Sequence, residues 1–154
     1  MRVHYLDASA WVKRHFEELG SGRIRQLFDA KEPLASSWLG YVEVAAAVAR
    51  QSRLNESGRK TIEAQLDLEW SRFLQLEAPD EDFALAVTLT RRYQLRGADA
   101  VHLATVKQLQ ARFMSVGDEL VFWTADRELI EAGYAIGIRV ENPAPPVSGP
   151  AWSA

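Results

Sequence analysis

Short apolar runs alternate with amphipathic segments along nearly the whole chain, and this alternation limits its fold more than any other feature. Five runs have the length and composition of strands: residues 2–6, 33–36, 74–76, 120–123 and 138–140. Apolar residues at helical spacing fill the intervals, over 9–19, 23–30, 40–53, about 55–73, about 79–94, 98–110 and 126–132. This order predicts one three-layer α/β domain, with a mainly parallel sheet of about five strands flanked by helices.

The helix predicted over 40–53 is apolar on more than one side. Its alanine-rich face, which we expect to pack against the domain, consists of Val42, Ala45, Ala46 and Ala49. Further apolar residues lie beyond that face: Trp38, Tyr41, Val44 and Val48. This surplus of apolar surface predicts a homodimer.

Composition excludes several classes of protein. The 154 residues include no cysteine, which rules out disulfides, thiolate metal sites and cysteine nucleophiles. The formal net charge is −3 and no basic stripe is present, unlike in proteins that read DNA sequence. No run approaches a membrane-spanning length, and the acid at position 7 leaves no room for a signal peptide. We therefore expect a cytoplasmic protein without membrane contact.

The last thirteen residues differ from the rest. Residues 142–154 contain four of the six prolines and no charged side chain. We expect a globular domain over 1–141 and a proline-rich C-terminal tail over 142–154. Trp152 in that tail has no explanation from the sequence.

Four acids fall at positions where α/β folds place their active sites, beyond the carboxyl ends of strands. Asp7 follows the first strand, and Asp126 follows the strand over 120–123. Asp99 begins a helix after Arg96-Gly97, and Glu43 lies one turn into the alanine-rich helix. Each aspartate alone is equally consistent with a helix N-cap. Glu43 alone would be an ordinary solvated residue, but its close-packed neighbours would make an unpaired carboxylate costly.

Together the four acids indicate a hard divalent cation. Carboxylate clusters without histidine or cysteine ligands are typical of Mg²⁺ or Mn²⁺ sites rather than Zn²⁺ sites. The reaction that suits such a site is metal-assisted hydrolysis of a phosphodiester.

The segments around these acids resemble the four sequence blocks of PIN-domain ribonucleases, and specifically of VapC-like toxins from toxin–antitoxin pairs. The blocks are Asp7-Ala8-Ser9, Tyr41-Val42-Glu43-Val44-Ala45, Leu95-Arg96-Gly97-Ala98-Asp99-Ala100-Val101-His102-Leu103-Ala104 and Thr124-Ala125-Asp126-Arg127. The resemblance spans residues 2 to about 141, and the block around Asp99 is the strongest.

This resemblance implies an endoribonuclease that depends on Mg²⁺ or Mn²⁺, with Asp7, Glu43, Asp99 and Asp126 as catalytic and metal-binding residues. It also implies that the hydroxyls of Ser9 and Thr124 orient the ligands. RNA would be the substrate, a cognate antitoxin protein the partner, and a homodimer the assembly. Cleavage would leave a 5′-phosphate and a 3′-hydroxyl.

Other polar residues are ambiguous. Lys13, Arg14 and Arg96 are candidate contacts to RNA phosphates, although a solvated helix face explains each one equally well. His102 follows Asp99 by three residues, yet a structural histidine is the favoured interpretation. Trp11 and Trp38 are better explained by packing than by base stacking.

Competing functions remain open to different degrees. A haloacid-dehalogenase-type enzyme needs a second aspartate two residues after Asp7, where this chain has Ser9. A response-regulator receiver needs paired acids and a late lysine, and neither pattern is visible. A PIN-fold RNA-processing nuclease that is not a toxin and a non-catalytic PIN-like binding module both remain compatible with the sequence.

Overall fold

The computed structural model of the protein describes residues 1–145 and confirms the predicted alternation of strands and helices. The strands are β1 (Arg2–Leu6), β2 (Leu34–Ser37), β3 (Leu74–Leu76), β4 (Glu119–Trp123) and β5 (Arg139–Glu141). The helices are α1 (Ala8–Trp11), α2 (Ser21–Asp29), α3 (Trp38–Arg50), α4 (Glu56–Arg72), α5 (Asp80–Tyr93), α6 (Gly97–Phe113) and α7 (Arg127–Ala135).

The five strands form one parallel sheet in the order β3-β2-β1-β4-β5. The central strand, β1, pairs with β4 over its whole length, so that Leu6 lies beside Trp123 at their carboxyl ends. β2 and β3 lie on one side of β1, and β4 and β5, which come later in the chain, lie on the other side. Such a reversal of strand order opens a crevice beyond the carboxyl ends of the two strands.

Each face of the sheet supports its own core, because successive side chains of a strand point to opposite faces. Val3, Tyr5 and Phe122 pack against α5, α6 and α7 on one face. Leu6 and Trp123 pack against α1 to α4 on the other. Burial of a side chain such as Phe122 contributes about 1.5–3 kcal/mol to stability. The central strands are therefore held from both sides, which keeps their carboxyl ends in place.

The helix predicted over 9–19 is wrong in length. The α-helix ends at Trp11, and a short 3₁₀ turn over Val12–Arg14 follows it. Beyond that turn, the hydroxyl of Ser21 accepts a hydrogen bond from the Glu18 amide and donates one to the Phe16 carbonyl. These side-chain bonds hold the backbone of that segment in a turn instead of a helix.

The packing face predicted for α3 is also wrong. Val42 is 59% exposed, whereas Val44 and Val48 are fully buried. A Cβ atom on Gly40 would lie 2.4 Å from Ser36 Oγ, so this glycine permits a close approach of α3 to the domain. Apolar residues lie on more than one side of α3, so periodicity alone does not distinguish its two faces. The exposed apolar stripe of α3 consists of Trp38, Val42, Ala45 and Ala49.

The first residues after β5 pack against α2. Arg23 donates a hydrogen bond to the carbonyl of Asn142, and a Cβ on Gly20 (φ +95°) would clash with the carbonyl of Pro143. Trp152 lies outside the described residues, and the division at residue 141 stays a prediction. Among the helices of residues 1–145, none has the length and apolar character needed to cross a bilayer.

Candidate active site

Asp7 lies at the crevice, directly after β1, and is 3% exposed. Its Oδ1 accepts hydrogen bonds from the Ser9 hydroxyl at 2.7 Å and from the Ala10 amide at 3.0 Å. Its Oδ2 accepts one from the Thr124 hydroxyl at 2.5 Å. The carboxylate caps α1 and is fixed in orientation at the same time.

Ser9 and Thr124 join Asp7 to the segment that carries Asp126. The Ser9 hydroxyl accepts a hydrogen bond from the Ala125 amide, and the Thr124 hydroxyl accepts one from the Asp126 amide. Asp126 itself caps α7 through the Leu129 amide, at 2.9 Å. The N-cap interpretation therefore holds for Asp7 and Asp126, and both carboxylates also lie at the same edge of the sheet.

Glu43 and Asp99 come from α3 and α6. Asp99 lies in the first turn of α6, and His102 follows it by three residues on the same helix face. His102 Nε2 lies 2.6 Å from Glu43 Oε1, a contact that joins α6 to α3. Neither acid is a helix cap, so their positions have no explanation in helix capping.

The other three acids act electrostatically on Asp99. Burial raises the pKa of Asp99, and the negative charges on Asp126, Asp7 and Glu43 raise it further. Burial also raises the pKa of Asp7, although hydrogen bonds from Thr124 and Ser9 act in the opposite direction. His102 acts in the opposite direction on Asp99. The four acids therefore lie near enough to influence Asp99, and their role as one site stays a prediction.

The carboxylates fit a divalent cation of the Mg²⁺ type. Within residues 1–145, no three acidic or histidine side chains converge closely enough to form a ready-made ligand set. Mg²⁺ does not need one, since it usually binds one or two carboxylates directly and keeps several waters. The candidate ligands are all oxygen atoms, which suits a hard cation, and a bound cation would offset the negative charges that raise the pKa of Asp99.

The candidate RNA contacts have different surroundings. Lys13 is 8% exposed and its ammonium lies 3.0 Å from Glu18. Arg14 is paired with Glu69, also at 3.0 Å. These two cations are therefore already neutralised within the fold. Arg96 is exposed at the N-cap of α6, three residues before Asp99, and is the one of the three that remains a candidate for a phosphate contact.

Two further residues lie at the site. His102 is buried, as the structural interpretation predicts, and it contacts Glu43. The Tyr5 hydroxyl lies 2.8 Å from His102 Nδ1. The three-residue spacing of His102 from Asp99 indicates this placement, because it puts both on one helix face. Nothing in the sequence pairs Tyr5 with a residue 97 positions away.

Asp99→Asn is expected to raise the melting temperature of the metal-free protein at pH 8. A carboxyl whose pKa is higher in the folded chain binds more protons there, so its ionisation costs stability as pH rises from about 3.8 through the raised value. Asparagine removes that ionisation. Thermal melts in EDTA at several pH values measure the effect, which should vanish below about pH 4. A lower melting temperature of the variant at pH 8 would contradict it.

The fold and the site define a class: single parallel α/β domains with acids beyond the carboxyl ends of their central strands. The chain belongs to the PIN domain family, whose model matches residues 4–133. It is 37% identical to Ribonuclease VapC45 of Mycobacterium tuberculosis over 145 residues, which cover 91% of this chain and 95% of that protein.

Solved structures confirm the fold. FitAcB from Neisseria gonorrhoeae has a TM-score of 0.69 at 18% identity, over 91% of this chain and 97% of that one. A toxin–antitoxin complex from Klebsiella pneumoniae contains a chain with a TM-score of 0.60 at 18% identity, over 91% and 97%. At these identities the likeness concerns architecture alone.

Proposed function

We propose that this protein is a divalent-metal-dependent endoribonuclease that acts in the cytoplasm as the toxin of a toxin–antitoxin pair. The observation that supports it most is the acidic cluster at the strand reversal, where one aspartate is electrostatically coupled to three other carboxylates. The similarity to a curated ribonuclease over nearly the full chain gives the reaction class. The names of the curated relatives, which are VapC ribonucleases at 37% identity, support the biological role.

Asp7, Glu43, Asp99 and Asp126 would hold Mg²⁺ or Mn²⁺. When bound, such a cation lowers the pKa of water and neutralises charge on a phosphodiester. Thr124 and Ser9 fix the Asp7 carboxylate through their hydroxyls, which keeps its oxygens in one orientation before substrate arrives. Arg96, exposed beside Asp99, would contact a backbone phosphate and so position the RNA without reading its sequence.

The cognate antitoxin would inhibit the enzyme at this crevice. The cluster carries net negative charge. A partner helix with an apolar face would lie in the groove beside the acids and present an arginine to them. The planar guanidinium can pair with two carboxylate oxygens, in competition with the cation.

We propose further that two copies associate through the exposed apolar stripe of α3. Trp38 is 48% exposed and Val42 is 59% exposed, although both are large apolar residues on an ordered helix. Ala45 and Ala49 continue the stripe with small side chains that permit close helix approach. Contiguous apolar surface of this kind marks interaction sites.

Val42→Lys is expected to convert a dimer into a monomer, because two ammonium groups would be buried at the interface. Sedimentation at micromolar concentration should give twice the chain mass of 17.3 kDa for the wild type. The variant should sediment with the mass of one chain. The matched control is Val116→Lys, at a fully exposed loop position, which should stay dimeric. A monomeric wild type would contradict the assembly.

Purified protein tests the activity itself. We expect cleavage of RNA in Mg²⁺ or Mn²⁺ and none in EDTA. Binding of RNA without cleavage in either metal would instead identify a non-catalytic binding module.

A further inference from the structure

A chain of buried polar groups leads from the core of the domain to Glu43. Tyr5 on β1 is fully buried, and its ring packs edge-on against Phe122 and the His102 imidazole. The Tyr5 hydroxyl lies 2.8 Å from His102 Nδ1, and His102 Nε2 lies 2.6 Å from Glu43 Oε1. Glu43 is the one partly exposed member, with a side chain that is 33% exposed.

The hydrogen bonds define where the protons lie. Burial raises the pKa of Tyr5 far above neutrality, so its hydroxyl keeps its proton. A carboxylate only accepts hydrogen bonds, so in the contact between His102 Nε2 and Glu43 Oε1 the imidazole donates.

The backbone makes room for this arrangement. A Cβ atom on Gly40 would lie 3.2 Å from His102 Cε1, so a larger residue there would press on the imidazole. Gly40 is one turn before Glu43 on α3, and His102 is one turn after Asp99 on α6. The imidazole thus fixes the distance between the two helices that carry Glu43 and Asp99.

We propose that Tyr5 and His102 are positioning residues that hold the Glu43 carboxylate ready for a divalent cation. The inference rests on the proposed function and deepens it. Free glutamate side chains sample many rotamers, and ordering one costs conformational entropy. The hydrogen bonds from Tyr5 through His102 order the Glu43 carboxylate during folding. The cation then binds a carboxylate that is already in place. Mutation of a residue that hydrogen-bonds to a metal ligand typically lowers metal affinity by about 10–100-fold.

Mn²⁺ binding to the purified protein, measured by calorimetry, tests the proposal without reference to activity. Tyr5→Phe keeps the ring and removes the hydroxyl, and should weaken Mn²⁺ binding by about tenfold. His102→Leu should weaken it by about 10–100-fold, and His102→Gln should recover part of the loss because its amide can donate to Glu43. The matched control is Tyr134→Phe, which removes a tyrosine hydroxyl bonded to the Val140 carbonyl and should bind like the wild type.

A second measurement does not depend on metal or on the stability of variants. In the metal-free wild type, ¹⁵N NMR should show a proton on His102 Nε2 that is hydrogen-bonded to a carboxylate. The absence of a proton on Nε2 would overturn the proposal, as would Mn²⁺ binding by Tyr5→Phe equal to that of Tyr134→Phe. Failure of the wild type to bind Mn²⁺ would instead refute the proposed metal-dependent function.

Discussion

Asp99→Asn is expected to reduce RNA cleavage by at least about 10³-fold while the fold stays intact. Loss of one carboxylate at a metal site removes several kcal/mol of transition-state stabilisation, which corresponds to a factor of this size. Asp99 is the residue whose pKa is raised by all three other acids, so it lies where their charges act together. Its removal therefore affects the whole cluster.

The fold should tolerate the change for two reasons. Asp99 is not the N-cap of α6, so no capping bond is lost. Neutralising one of four mutually repelling carboxylates also relieves repulsion in the metal-free protein. Circular dichroism and thermal melts of the variant check both points, beside cleavage of the same RNA under single-turnover conditions.

Asp118→Asn is the matched control for this substitution. Asp118 precedes β4, at the end of that strand opposite Asp126, and accepts hydrogen bonds from the Met1 amino group and the Ser115 amide. The same chemical change at that position should leave cleavage within about twofold of the wild type, as expected for a site without shared partners. Full activity in Asp99→Asn, together with a lower melting temperature, would show that the acid is structural.

The second large effect is expected in cells. Induced expression of the wild-type chain alone should arrest growth, because cleavage of cellular RNA halts protein synthesis. Asp99→Asn should be harmless at the same expression level. Co-expression with the product of the neighbouring gene should restore growth, since an arginine-bearing helix at the crevice would compete with the cation.

Binding and inhibition can be separated with an inactive chain. Asp7→Asn keeps an acceptor for the α1 N-cap, because asparagine caps helices as well as aspartate does. This variant should still copurify with the antitoxin, and should bind it more weakly because one charge is missing. Growth that is unaffected by an active wild-type enzyme, with no copurifying partner, would exclude the toxin role and leave the nuclease assignment intact.

Much of the fold and of the acidic cluster follows from local sequence. The apolar runs before Asp7 and Asp126 predict strands, and the rule that active sites lie beyond strand ends then selects those acids. β3 was predicted at its observed bounds, Leu74–Leu76, from three residues alone. The resemblance to PIN-domain ribonucleases rests on the same four blocks, and the match over residues 4–133 confirms it.

What could not be predicted depends on contacts between distant segments. The buried face of α3 is set by Gly40 against Ser36 and His102, and an apolar helix gives no periodic signal for that choice. The turn that replaces the predicted helix around residues 16–18 depends on the Ser21 hydroxyl, which bonds to backbone five residues earlier. Tyr5 and His102 meet only because β1 and α6 pack together, 97 residues apart in sequence.

The chemistry of the RNA ends tests the central claim most directly. Purified wild-type protein is incubated with a defined RNA in Mg²⁺, and the cleaved ends are identified by sequencing and phosphatase sensitivity. Attack by water at a site of four carboxylates and a divalent cation predicts 5′-phosphate and 3′-hydroxyl ends, and no products in EDTA. Cleavage that persists in EDTA and leaves 2′,3′-cyclic phosphates would contradict the account, because the attacking group would then be the RNA's own 2′-hydroxyl.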